Sequence, residues 1–198
     1  MTSLDASWRE IVIDWSEQNV SSRRLEHVMG VEATCVELAQ VHGYSKRKAA
    51  KAGLLHDLAK FFPGKKLLKI ARKHGLEIDS ICLQHPHLIH ADVSAVVAKE
   101  KFGVKNKQIL QAVANHTLGK PKMDILSCIV FVADAIEPGR GKTKQLERLR
   151  GIAKENLFEA VWKTSDYSLN YLISDRKIIH PRTILTRNWA LLKAREEI

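Results

Sequence analysis

Residues 123–137 of the 198-residue chain read Met-Asp-Ile-Leu-Ser-Cys-Ile-Val-Phe-Val-Ala-Asp-Ala-Ile-Glu. Almost every position is apolar, so a helix over this stretch has no polar face to present to water and must be surrounded by other helices. The stretch therefore predicts an all-α bundle with this helix at its centre. It also places Asp134 among apolar neighbours, where a carboxylate is costly unless a cation or hydrogen-bond donors meet it.

The remainder of the chain shows helical periodicity, with Gly, Pro and Ser at the segment ends. We predict about ten helices and no strand. The third helix, capped by Ser45, is expected to run to about Phe61, before Pro63 and Gly64. One domain is predicted over residues 1–198, with its core at about 21–140 and the C-terminal helices of 141–198 packed on it.

The composition is that of a globular protein, with 45% hydrophobic and 27% charged residues. Three widely spaced cysteines, without a CxxC pair, argue against disulfides and indicate a reducing compartment, the cytoplasm. We expect neither a secretion signal nor a membrane span. The net charge of +10 favours an anionic partner, either nucleic acid or a small phosphorylated molecule.

Four residues predict a metal site. His56 and Asp57 are adjacent on the predicted third helix, with side chains about 100° apart, so both can reach one cation. A lone His-Asp dipeptide is more often a core histidine beside a surface carboxylate. However, His27 lies on the buried stripe of the second helix, and Asp134 lies in the central one. Nitrogen and oxygen ligands from three helices suit iron, manganese or zinc.

The order of these residues resembles the H…HD…D pattern of the HD-domain phosphohydrolases. Four longer stretches are similar to the bacterial YqeK family: Ala-Gly-Leu-Leu-His-Asp-Leu-Ala-Lys at 52–60, Leu-Ile-His at 88–90, His-Thr-Leu-Gly-Lys at 116–120 and Ala-Asp-Ala-Ile-Glu-Pro-Gly-Arg at 133–140. The similarity extends from about the second helix into the C-terminal helices.

This resemblance implies two metal ions, with iron expected and manganese, zinc or nickel as alternatives. The implied ligands of the first ion are His27, His56, Asp57 and Asp134, and those of the second are His90, His116 and the shared Asp57. His85 and His87 are rivals to His90, whereas His42, His74 and His180 are expected at the surface. Catalytic roles are predicted for Asp57 and Lys60, and substrate contacts for Lys60, Thr117, Lys120 and Arg140.

The implied activity is symmetrical hydrolysis of diadenosine tetraphosphate to two ADP by a metal-activated hydroxide. Three alternatives stay open: another nucleotide phosphatase or phosphodiesterase of the HD superfamily, a di-iron oxygenase, and an RNA- or ribosome-binding protein. The chain has no RNP-like strand or KH-type loop, so a dinucleoside polyphosphate or nucleotide is the expected partner rather than nucleic acid. The oligomeric state is open, a homodimer included.

Overall fold

The computed structural model describes residues 3–196, and the side chains of residues 7–196. The predicted domain limits at residues 1 and 198 lie outside this range. Within it there are eleven α-helices, two short 3-10 helices and no strand. The α-helices are α1 (Ser3–Asn19), α2 (Ser22–Val41), α3 (Lys46–Leu55), α4 (Gly64–Lys73), α5 (Ser80–Gln84), α6 (His90–Phe102), α7 (Lys107–Asn115), α8 (Ile125–Ile136), α9 (Lys144–Glu155), α10 (Leu157–Ser174) and α11 (Pro181–Glu196). The 3-10 helices are Pro86–Ile89 and Pro138–Arg140. The all-α prediction is confirmed.

Helix α8 lies at the centre of the bundle, as its composition predicts. It packs against α2, α3, α7, α9 and α10. Leu126, Ile129, Val130 and Val132 are fully buried in it, so the helix has neighbours on all sides. Helix α11 packs against α10 rather than against α8. None of the described helices is both long enough and apolar enough to cross a membrane.

Polar side chains set several helix starts. The hydroxyl of Ser45 accepts a hydrogen bond from the backbone N–H of Lys48, and the side chain of Asp124 accepts one from the N–H of Ser127. These bonds satisfy N–H groups that have no partner within the helix. Such caps place the starts of α3 and α8, whose opposite ends carry the site.

The third helix is shorter than predicted, because it ends at Leu55 instead of continuing to about Phe61. The backbone N–H of Ala59 donates to the hydroxyl of Ser94 on α6, at 2.9 Å, instead of to a carbonyl in its own helix. Residues 56–61 therefore form successive turns. The predicted end at about Phe61 was wrong because the hydrogen-bond partner of the Ala59 N–H lies on another helix.

Candidate metal centre

Six side chains converge where five segments of the bundle meet. Four of these residues are almost completely buried, with exposed fractions of 0–4%. His27 comes from α2, Asp134 from the last turn of α8, and His90 is the first residue of α6, while His56, Asp57 and His116 directly follow α3 and α7. We call these six residues the His/Asp cluster.

The buried histidines of the cluster hold their rings in the same way. Nδ1 of His56, His90 and His116 lies 2.7, 2.6 and 2.8 Å from the backbone carbonyl oxygen three residues earlier. A carbonyl oxygen can only accept, so each Nδ1 carries the proton and donates. The lone pair is consequently on Nε2, which points into the cluster. This is the tautomer that a metal-binding histidine needs.

His27 has the same tautomer, and the partner of its Nδ1 is Glu137, a residue for which the sequence predicted no role. Its Nδ1 lies 3.0 Å from Oε1 of Glu137, and Glu137 is only 3% exposed. The other carboxylate oxygen accepts from the backbone N–H of Gly139 at 2.5 Å. A Cβ on Gly30 would come within 2.6 Å of this oxygen. Glu137 therefore fits only because that helix position lacks a side chain.

Asp57 lies between two pairs of histidines, with one oxygen toward each pair. Its Oδ1 is 3.2 Å from Nε2 of His90 and 3.4 Å from Nε2 of His116. Its Oδ2 is 3.4 Å from Nε2 of His56 and 4.0 Å from Nε2 of His27. The carboxylate thus faces both pairs at once.

Asp134 belongs to one side of this arrangement. Its Oδ1 is 3.1 Å from Nε2 of His27 and 3.9 Å from Nε2 of His56. The six residues therefore divide into a group around His27, His56 and Asp134 and a group around His90 and His116. Asp57 is common to the two groups.

The donor set fits cations. Nε2 of His27 lies 3.3 Å from Nε2 of His56, and Nε2 of His90 lies 3.2 Å from Nε2 of His116, so nitrogen lone pairs face one another. Within the described part of the chain, Oδ1 of Asp57 is buried without a hydrogen-bond donor. Facing lone pairs and a buried, unpaired carboxylate oxygen are costly alone, and a metal ion satisfies both. The residues present therefore fit metal ions.

The electrostatics of the cluster also favour the binding of cations. Burial lowers the pKa of His90 to about 4, which keeps its ring neutral near pH 7. Burial also disfavours the charged form of His56, but the carboxylates of Asp57 and Asp134 outweigh it and raise the pKa of that ring. Burial would raise the pKa of Asp57, yet the neighbouring histidines hold it well below its usual range. The two carboxylates thus attract positive charge into the cluster.

Cationic and hydroxyl groups surround the cluster. Nζ of Lys60 lies 3.3 Å from Nε2 of His90, and Oγ1 of Thr117 lies 3.1 Å from the same atom. Nη2 of Arg140 is 2.5 Å from Oδ1 of Asp134. The structure thus brings three of the four predicted substrate-contacting residues to the cluster. The fourth, Lys120, is exposed to solvent.

Arg24 also contacts the cluster and was not predicted. Its Nη1 lies 2.8 Å from Oδ2 of Asp57. The only sequence signal for it is its place one turn before His27 on the same helix. The rival histidines are placed differently: His87 is exposed, His85 is half-buried, and the two rings stack edge-on with centroids 6.0 Å apart.

A cavity of about 730 Å³ opens beside the cluster. Its lining includes His27, Arg24, Arg140 and Phe61. Volumes of about 300–1,000 Å³ are typical of small-molecule sites. The cavity gives a small anionic ligand access to the group around His27.

The all-helical fold and the H…HD…D cluster define an HD-domain protein. The sequence profile of the HD domain family matches residues 24–139, and the chain belongs to this family. The chain is 32% identical to the "Bis(5'-nucleosyl)-tetraphosphatase, symmetrical" of Bacillus subtilis, over 91% of this chain and 96% of the relative. It is likewise 32% identical to the protein of the same name from Halalkalibacterium halodurans, over 88% of this chain and 92% of the relative.

A solved structure has the same fold. It is the "predicted HD superfamily hydrolase involved in NAD metabolism" from Clostridium acetobutylicum, with a TM-score of 0.88 and 32% identity. The similarity covers 93% of this chain and 97% of that one. The resemblance to the HD-domain phosphohydrolases and their YqeK branch is therefore confirmed, and the chain is a hydrolase of this family.

Proposed function

We propose that the protein cleaves diadenosine tetraphosphate symmetrically to two ADP. The observation that carries the proposal is the position of Asp57, which presents one oxygen to each of two histidine pairs. This arrangement can hold two cations next to a cavity lined with arginines. The names of the two bacterial relatives supply the class of substrate, a bis(5'-nucleosyl) tetraphosphate, and the symmetry of cleavage. The choice of adenosine rests on the resemblance to the YqeK family.

Two ions would share Asp57 as a bridging ligand. His27, His56 and Asp134 complete the first ligand set, and His90 and His116 contribute to the second. The mixed nitrogen and oxygen donors suit iron, and also manganese, zinc or nickel. When bound, such ions lower the pKa of coordinated water from about 15.7 toward about 7, which supplies a nucleophile at neutral pH.

The residues around the cluster would hold the polyphosphate chain. Lys60, Arg140 and Arg24 place three positive charges next to the carboxylates, and the hydroxyl of Thr117 can donate to a phosphate oxygen. Lys120, which is exposed to solvent, stays part of this proposal as a predicted contact to the polyphosphate. Fixed cations stabilise the charge that develops on phosphate oxygens during displacement.

The proposed reaction adds one water molecule across the central anhydride. The water oxygen forms a bond to one inner phosphorus, the bridging P–O bond breaks, and the bridging oxygen leaves with the second ADP. ADP is a stable anion, so this departure needs little help from a general acid. Asp57 would hold the two ions in position, and Lys60 would neutralise negative charge on the phosphate.

The remaining features of the chain agree with a small anionic partner in a reducing compartment. The net charge is +10, and Cys35, Cys82 and Cys128 are all buried. We therefore place the reaction in the cytoplasm. Nucleic acid and membranes are not part of the proposal.

The test uses diadenosine tetraphosphate in water enriched in heavy oxygen, with enzyme purified anaerobically and its metal content measured. ADP should be the sole nucleotide product, with label in one ADP per turnover. Lys60→Ala should lower turnover with metal content unchanged, whereas Lys65→Ala, an exposed lysine on α4, should match the wild type. Formation of AMP and ATP, or preferential release of phosphate from AMP, would overturn the symmetrical assignment.

A further inference from the structure

Phe61 is a large apolar side chain that the fold does not bury. It is 53% exposed, and it lines the cavity beside the His/Asp cluster. The next residue, Phe62, is half-buried against the small apolar cluster that contains Leu67, with Nζ of Lys66 3.4 Å from its ring centroid. Two consecutive phenylalanines therefore differ in role. Phe62 packs, and Phe61 presents its ring to the cavity.

Arg24 connects this ring to the cluster. Its guanidinium carbon lies 5.7 Å from the ring centroid of Phe61, and its Nη1 lies 2.8 Å from Oδ2 of Asp57. One arginine side chain thus contacts the exposed ring and the shared carboxylate. A nucleotide with a phosphate near Arg24 would have its base near Phe61.

Apart from Phe61 and Pro138, the residues that line the cavity are charged, polar or glycine. Arg23, Arg24, Glu26 and Arg140 bring charge, and Gly30 and Gly139 bring no side chain. A single exposed ring in a charged cavity is not a surface for another protein, because such surfaces have an apolar centre. Aromatic rings next to cationic residues are, however, the usual means of binding a base and its phosphates.

We infer that Phe61 is the platform on which a purine base stacks, while the adjoining phosphates extend past Arg24 toward Asp57. The inference rests on the proposed function and adds to it the residue that recognises the base. The chemical class of ligand is a nucleoside 5′-diphosphate, either free or as half of a dinucleoside polyphosphate. Loss of the stacking contact between one base and an aromatic ring weakens binding by about 5- to 150-fold.

The experiment compares ADP with pyrophosphate, which lacks the base, by calorimetric titration of the metal-loaded enzyme. Phe61→Leu keeps an apolar side chain without a ring, and it should weaken ADP binding by about 5- to 150-fold while pyrophosphate binding stays unchanged. Phe61→Trp should retain ADP binding. Tyr171→Leu is the control, since Tyr171 is also 53% exposed but is not part of the cavity lining.

Two results would overturn the inference: unchanged ADP binding by Phe61→Leu, or equal weakening of ADP and pyrophosphate, which would indicate a disturbed phosphate site. The binding measurement needs no turnover, so it can be separated from the proposed function. ADP binding that depends on Phe61, without cleavage of diadenosine tetraphosphate, would refute the function and support the platform. Symmetrical cleavage together with ADP binding that does not change when Phe61 is replaced would support the function and refute the platform.

Discussion

Within residues 7–196, whose side chains the structure describes, buried histidines meet aspartate side chains in the His/Asp cluster and again near the start of α11. The two places differ in which ring nitrogen of the histidine carries the proton. In the His/Asp cluster, Nδ1 of His56 donates to a backbone carbonyl, so Nε2 is available to the interior. Between the starts of α5 and α11, Nε2 of His180 lies 2.6 Å from Oδ2 of Asp79, and Nδ1 of His180 accepts from the backbone N–H of Arg182 at 3.1 Å. His180 was predicted at the surface, but it is buried, with only 8% exposed.

The difference shows that closeness of ligand types does not make a metal site. Asp79, Cys82 and His180 also have potential ligand atoms within 4.8 Å of one another. A backbone N–H can only donate, so Nδ1 of His180 holds a lone pair and Nε2 holds the proton. Burial also raises the pKa of the Cys82 thiol to about 12, so it is not a thiolate at neutral pH. We interpret this group as a hydrogen-bonded clamp between α5 and α11.

The largest effect is expected at Asp57. Asp57→Ala should remove both metal ions and lower turnover by more than about 100-fold, above the range for residues that only orient a ligand. Helical content by circular dichroism should be retained. Asp79→Ala should keep metal and turnover. A purified Asp57→Ala protein with full metal content would disprove the shared-ligand assignment.

Loss of one ion is expected at the second histidine pair. His90→Ala or His116→Ala should remove about one metal equivalent of two, because these residues share only Asp57 with the group around His27. His180→Ala should leave both equivalents in place. Elemental analysis of the three purified variants measures the difference. Equal loss of both ions in His90→Ala and His116→Ala would contradict the division of ligands.

A weaker effect is expected at Glu137, which orients His27 from outside the cluster. Glu137→Ala should lower metal affinity by about 10- to 100-fold, the usual cost of losing a partner that holds a ligating histidine. Competition with a chelator measures this affinity. Glu147→Ala is the matched control, because Glu147 is an exposed glutamate on the neighbouring helix α9 that pairs with Arg150. If both variants behave alike, Glu137 does not orient His27.

The smallest effect is expected at the clamp, and it depends on pH. Hydrogen bonds from the backbone N–H of Cys82 and then from His180 lower the pKa of Asp79 in the folded protein. A lowered pKa contributes stability above the unfolded value of about 3.9, and this stability is lost as pH falls through the folded value. Urea denaturation should therefore give a lower free energy of unfolding for Asp79→Asn than for the wild type near pH 6. This difference in unfolding free energy should disappear below about pH 4. If the difference in unfolding free energy grows as the pH falls, the Asp79 carboxylate does not stabilise the fold in this way.

Much of the fold follows from local patterns. The apolar run of residues 125–136 predicts a central helix because such a segment has no face for water, and α8 occupies that place. Ser45 marks the start of α3 correctly, because its hydroxyl accepts from the backbone N–H of Lys48. The short α5 and the early end of α3 were missed. The early end of α3 depends on a partner elsewhere in the chain, because the N–H of Ala59 donates to the hydroxyl of Ser94.

The sequence by itself determined the all-helical class and the central helix, because apolar periodicity is written along the chain. Its residues also indicated His27, His56, Asp57 and Asp134 as candidate ligands, whereas His90 and His116 were implied by the resemblance to the YqeK family. Only the tertiary structure decided the protonation of the rings and the contributions of Glu137 and Arg24. It also gave the distances that place Asp57, the ligand that the resemblance implied to be shared, between the two histidine pairs. The physical reason is that the proton on each imidazole follows its partner on the far nitrogen. That partner is a nearby carbonyl for His56, a carboxylate 110 positions away for His27, and a donating N–H for His180.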